Sequence, residues 1–411
     1  MSEIDNVYKP LEKAVHEDNL ENFKNILENQ PDVVEFIRHY HEEHKWSLVI
    51  DASCYGAIEC LKYLIPFLYK KMEEAGESRE KIYEFIHAKN VFGNAPIHKA
   101  VEERHLECAE FLLKEGANPN EIIDKKFSSL GETPMSIACY NDDLEMLKLL
   151  IRYGGKLDSR SKSNCTLLHL AAINNAFHCV KYLIDKGFDV NARNDEDCVP
   201  LHYAQSYHNH IESTILLLHH GADVNAVSRR FKRTPLHEAT MNNRVKAVKL
   251  LLDYGADINA QDVYGNTPLH LAIHRYTQVT LYDLDGEATG GTMMSQWGAF
   301  KMLLKHHPNL EIYNSEGNDP MYSSDGDTPL LYAARQNSGM MKVLLQKGAD
   351  VHARNIYSGK SALDIIMDKL YDNLSHGWGG WGYLKQLDII YPYLNDEEKK
   401  IVDAGRARCN A

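Results

Sequence analysis

Apolar positions along the chain fall into two kinds of run that alternate in a fixed order. The first kind is short, as in Pro235-Leu236-His237-Glu238-Ala239 and Pro268-Leu269-His270-Leu271-Ala272, each headed by Thr. Thr can cap a helix by accepting a hydrogen bond from a free backbone N–H. Proline at the first helical position loses nothing by lacking its own N–H. Leu and the small Ala residues then give a narrow apolar face. The second kind is longer and rich in leucine, as in "VKAVKLLLDYGAD", with apolar residues three and four apart. Gly255 stands where the end of that helix calls for a left-handed residue. The stretch that follows, "ADINAQDVYGNTP", is too short for another helix and is expected to form an extended hairpin. The pattern predicts helix, polar turn, helix, hairpin.

That unit repeats. Aligned on the proline slot, Pro134, Leu167, Pro200, Pro235 and Pro268 lie 33, 33, 35 and 33 residues apart, a period that marks stacked supersecondary units. The repeated pieces are "TPLHEA", "TPLHLA", "LLHLAA", "PLHYA" and "APIHKA", and the second-helix endings "KGFDVNA", "HGADVNA", "YGADINA" and "KGADVHA". On these motifs the chain strongly resembles the ankyrin repeat. The resemblance implies an all-α fold, an ankyrin-repeat solenoid of about ten helix–turn–helix units with short β-hairpin connections. It organises the chain into degenerate N-terminal repeats with an inserted helix (1–89), a regular array (90–355), and a C-terminal capping repeat with a tail (356–411). It also implies that His98, His169, His202, His237 and His270 are architectural, bonding backbone and neighbouring turns. Leu331 in "TPLLYAA" takes the place of that histidine, which a catalytic or metal site would not tolerate.

Interruptions of the period mark loops. Pro235 to Leu250 is 15 residues but Pro268 to Leu303 is 35, so about 20 extra residues (277–296) separate the helices of that repeat. The next hairpin (313–327) is longer than the others, and a glycine-rich insertion (375–383) divides the last helix pair. Trp297, Trp378 and Trp381 lie in or beside these insertions. Tryptophan is enriched at binding hot spots, so each either packs back on a helix or presents a contact surface.

Net charge is −13, which sets a repulsive average field against nucleic acid. No apolar run reaches 18 residues, so no membrane span is expected, and the opening residues do not form a secretory signal. Eight cysteines are scattered without a C-x-x-C pair; Cys60, Cys108 and Cys179 share one helical slot and are expected to pack. No phosphate-binding loop, zinc-protease, nucleophile-elbow or kinase motif is present. The histidines of "HYHEEH" fall off any single helical face, so neither metal nor cofactor is expected.

The function expected is therefore a scaffold or adaptor that binds a partner protein, with a regulatory or effector role carried by the insertions as the alternative. In ankyrin-like proteins the partner meets the concave surface of hairpin tips and first-helix positions. Carried onto this sequence, those positions are Tyr207, Arg230, Phe231, Arg233, Met241, Val263, Tyr264, His274 and Arg275. Arginine and aromatic residues concentrate there in an otherwise acidic chain, with Arg229, Arg230, Lys232 and Arg233 around Phe231. That composition fits an acidic or phosphorylated protein segment better than nucleic acid. A monomer is expected. The resemblance places such proteins in the cytoplasm or, for bacterial effectors, in the cytosol of a host cell.

Overall fold

The computed structural model describes residues 3–29, 35, 37–39, 47–123, 133–161, 163–205, 211–274, 297–315, 326–335, 339–376 and 381–409. The chain divides into two compact units, Met1–Asp195 and Glu196–Ala411. Both are helical, and among the described residues the β-type pairing is one isolated bridge between Arg160 and Thr166. The expected hairpins are thus tight turns closed by one or two backbone hydrogen bonds, such as Asn90 N–H to Asn94 O (3.0 Å) and Gly93 N–H to Asn90 O (2.9 Å).

In the first unit, α1 (Glu3–His16) pairs with α2 (Leu20–Glu28), and α3 (Leu48–Tyr55) with α4 (Ile58–Glu74). An additional helix, α5 (Arg79–Ile86), packs on α4. Three regular pairs follow: α6 (Pro96–Glu102) with α7 (Leu106–Lys114), α8 (Pro134–Tyr140) with α9 (Leu144–Arg152), and α10 (Leu167–Ile173) with α11 (Phe177–Asp185). First helices stack on first helices and second on second.

The second unit holds α12 (Pro200–Tyr203) with α13 (Glu212–His219), α14 (Pro235–Met241) with α15 (Val245–Asp253), and α16 (Pro268–His274) with α17 (Gly298–Lys305). It continues through α18 (Pro329–Arg335) with α19 (Met340–Gln346), and α20 (Ala362–Ser375) with α21 (Trp381–Ile390). A polar final helix, α22 (Asp396–Cys409), lies on α20. Second-helix leucines such as Leu183 and Leu251 are fully buried, as are Cys60 and Cys179. Burial pushes the Cys60 and Cys108 thiols up to about 12.

The repeated histidine serves as a clasp. Its Nδ1 accepts the backbone N–H three residues earlier: Ala95 to His98 (3.0 Å), Thr166 to His169 (3.1 Å), Val199 to His202 (3.2 Å), Thr234 to His237 (3.1 Å) and Thr267 to His270 (3.2 Å). With Nδ1 an acceptor, Nε2 carries the proton. It donates to the carbonyl of the following turn: His98 to Glu121 (2.9 Å), His202 to Arg233 (3.0 Å), His237 to Asn266 (3.2 Å) and His270 to Asp327 (3.2 Å). One neutral ring thereby fixes a helix start and ties it to the next turn. Burial depresses His98, His237 and His270 to about 4, which keeps them neutral.

Candidate functional site

Two adjacent turns of the second unit build the site. In residues 228–233, Ser228 N–H donates to Arg233 O (2.9 Å), and Arg233 N–H returns a bond to Ser228 Oγ (3.1 Å). In residues 262–266, Asp262 N–H donates to Asn266 O, while Asp262 Oδ1 accepts the N–H of Tyr264 and of Asn266, all at 2.9 Å. Gly265 has φ +71°, and a Cβ there would stand 2.4 Å from Ser315 N, so this turn requires glycine.

Neighbouring turns are bonded tip to tip. Arg229 N–H donates to Glu196 O (2.7 Å), Val263 N–H to Phe231 O (2.8 Å), and Ser315 N–H to Tyr264 O (2.9 Å). Phe231 and the Val263–Tyr264 pair are therefore neighbours on a continuous edge. Val263 is 40% exposed, and Phe231 and Tyr264 are half-buried.

The four basic residues around Phe231 do not act alike. Arg230 and Lys232 are exposed. Arg229 makes a two-pronged ion pair with Asp197, at 2.9 Å from Nε and 3.2 Å from Nη2. Arg233 has only 12% of its side chain exposed; its Nη1 lies 3.9 Å from Glu238 Oε1 and its Nε 3.8 Å from the fully buried Asp262 carboxylate. Burial pushes both the Glu238 and Asp262 carboxyls up, with Arg233 pulling the other way. The guanidinium groups of Arg230 and Arg233 each lie 4.9 Å from the Phe231 ring centroid. The basic cluster around Phe231 is thus not uniform: Arg229, Arg230 and Lys232 are exposed, and Arg233 is turned inward. Asp197 and Asp262, each on a flanking turn, claim two of its members.

The other expected positions are less concentrated. Met241 ends α14 and is half-buried, and His274 ends α16. Tyr207 and Arg275 lie outside the described residues, as do Trp378 and the insertion at 277–296. Trp297 stands half-buried at the head of α17, edge-on to Phe300 at 6.4 Å with Lys301 Nζ 5.8 Å from its ring, so it packs on its own helix. Trp381 opens α21.

Sequence reasoning missed two turns of the same kind. Val91–Phe92 in the first unit and Ile356–Tyr357 in the second are exposed at the equivalent slot, Phe92 by 52% and Tyr357 by 53%. The signal was there to read: "NVFGN", "DVYGN" and "NIYSG" each place an apolar–aromatic pair after Asn or Asp. No group of His, Cys, Asp and Glu among the described residues could hold a metal ion. No helix among them is long and apolar enough to cross a membrane.

Residues 11–123, 135–228 and 201–282 match the family described as ankyrin repeats in three copies. Residues 97–151 match ankyrin repeats in many copies, and 325–356 match a single ankyrin repeat. The chain belongs to the ankyrin-repeat family, whose repeats generally mediate protein–protein interaction. Among its relatives is an ankyrin repeat protein of Fowlpox virus, 30% identical over 314 residues, covering 69% of this chain and 52% of that protein. The human transient receptor potential cation channel subfamily A member 1 is 29% identical over 124 residues, 23% of this chain and 11% of the channel protein. The chain therefore spans about half the length of the first relative and a small part of the second. A crystal structure of the human ASB11 ankyrin repeat domain aligns with 64% of this chain and 98% of its own at 22% identity and a TM-score of 0.46.

Proposed function

We propose that the protein is an interaction adaptor whose partner docks on the turns at 228–233 and 262–266, with Phe231, Val263 and Tyr264 as anchors and Arg230 and Lys232 as the charges that select it. The observation that carries this reading is the pairing of exposed cations with a bonded row of aromatic tips in a chain of net charge −13. Arginine and aromatic side chains are the ones that dominate interface energetics. Cations at the rim speed and select encounter with an acidic or phosphorylated segment. Such a segment is the partner we assign. The reading takes the protein as a monomer working in a cytosol, and its eight free cysteines suit a reducing compartment.

The test is fluorescence anisotropy with labelled twelve-residue peptides in three matched sets: acidic, phosphoserine-bearing and neutral. The wild-type protein should retain peptides of the first two sets. The double variant Phe231→Ala, Arg230→Glu should lose them. Equal binding by that variant moves the site to another surface.

A further inference from the structure

Three groups meet beneath the Phe231 tip, and they come from three places in the chain. Arg233 stands at the base of one turn, Glu238 in the first turn of α14, and Asp262 at the base of the next turn. Arg233 spans them all. Its guanidinium lies over the Phe231 ring at 4.9 Å while reaching Glu238 at 3.9 Å and Asp262 at 3.8 Å. Arg233 Nε and Asp262 Oδ2 are both buried, and neither makes a hydrogen bond. What holds them opposite one another is attraction between charges removed from water, which is far less screened than at the surface. Asp262 meanwhile spends its other oxygen on the N–H groups of Tyr264 and Asn266, the bonds that shape the second tip. Between the tips runs the Val263 N–H to Phe231 O bond. A single side chain thus touches the ring displayed by the first tip and the acid that forms the second.

We propose that Arg233 is a positioning residue, which with Asp262 and Glu238 locks the Phe231 and Val263–Tyr264 tips into one rigid two-tip surface. This deepens the adaptor reading and rests on it for its use: Arg230 and the apolar side chains meet the partner, and Arg233 sets the distance between them. Rigid presentation lowers the ordering cost of binding. It also separates two arginines three residues apart by role. Arg230 sets which partner binds, and Arg233 sets how well the two anchors act together.

Amide hydrogen exchange on the free, full-length protein tests this without any ligand. The proteins compared are the wild type, Arg233→Lys, Arg233→Met, Asp262→Asn and the double variant. Asparagine keeps an oxygen for the Tyr264 and Asn266 N–H groups but removes the charge that faces Arg233. Arg233→Met and Asp262→Asn should each speed exchange at Val263 by roughly tenfold, since its bond joins the two tips. In Asp262→Asn, Tyr264 and Asn266 should stay protected. Leu251 in α15 should exchange at the wild-type rate throughout. Arg233→Lys should fall between wild type and Arg233→Met, because lysine restores the charge without the planar stack. The double variant should be no faster than either single one, as for two members of one interaction. Unchanged exchange at Val263 in both single variants overturns the proposal. So does an equal acceleration at Leu251, which would make Arg233 a general stabiliser of the repeat. Where Arg233→Met fails to fold, Asp262→Asn and Arg233→Lys carry the same comparison. A negative result removes the lock and leaves the docking surface standing. Loss of that surface shows instead in the peptide assay.

Discussion

His237 and Phe231 stand six residues apart in one repeat and follow opposite rules. His237 is fully buried and makes its bonds to backbone on both sides. The same clasp is built by His98, His202 and His270, because backbone partners do not vary with side-chain sequence. Phe231 is half-exposed, and its surroundings are side chains that belong to this repeat alone. The clasp makes the same bonds in each of these repeats, whereas the tips share an aromatic residue at one slot but differ in the charges around it. Stability is therefore expected to reside in the first and selectivity in the second.

The largest way to break that division is acid. His98, His237 and His270 have folded values of about 4 against an ordinary 6.5. Above pH 6.5 both folded and unfolded chains hold these rings neutral. Below it the unfolded chain takes up protons that the folded chain refuses until about pH 4. Stability is thus lost as pH falls from 6.5 to 4, at about 1.4 kcal/mol per pH unit for each ring, and levels off below. Thermal melts across that range should show the fall, and His270→Leu, copying Leu331, should flatten it while lowering stability at pH 7. A melting temperature unmoved between pH 7 and 4.5 would contradict the clasp.

Second in size is the core itself. Leu251 in α15 and Leu183 in α11 are fully buried at equivalent second-helix slots, one in each unit. Changing either to alanine should cost about 2–5 kcal/mol in urea unfolding. Binding of acidic peptides should survive wherever the Leu183 variant remains folded, since Leu183 lies in the other unit from the tips. A neutral result at either leucine would mean that the helix register is wrong.

What the sequence made legible follows the same line. The helix pairs were readable because their cause is periodic: Thr and Pro at each start, leucine at helical spacing, glycine at the end, as at Gly255 with φ +85°. The clasp was readable because it recurs. The fate of Arg233 was not, because it depends on Asp262, 29 residues on, turning its second oxygen inward. Arg229 is the same case, with its partner Asp197 on the preceding turn. Ladder bonds between repeats were missed for the same reason. Asn225, part of "HGADVNA", donates to Gly255 O (3.1 Å) and accepts from Asp257 N–H (2.8 Å), so a residue read as part of a helix ending joins two repeats. A spacing argument sees what repeats along one chain, and these contacts are set across the stack.

The smallest expected change in stability and the sharpest in binding meet at Arg230. Its side chain is exposed, and its resolved contact is the Phe231 ring at 4.9 Å. An exposed cation–aromatic contact contributes about 0.5–1 kcal/mol. Arg230→Glu alone should therefore shift unfolding free energy by no more than about 1 kcal/mol. The same change reverses the charge beside the aromatic anchor and leaves Lys232 and the Asp197-paired Arg229 as the exposed cations of that turn. Binding of acidic and phosphoserine peptides should fall at least tenfold, more steeply at low salt, where surface charges are least screened. Neutral peptides should be unaffected. Arg230→Gln separates the two effects, since it removes attraction without adding repulsion, and its loss should be the smaller. If Arg230→Glu binds acidic peptides as the wild type does while Phe231→Ala does not, the tips recognise apolar surface alone. The charge around them then serves only to fix the fold.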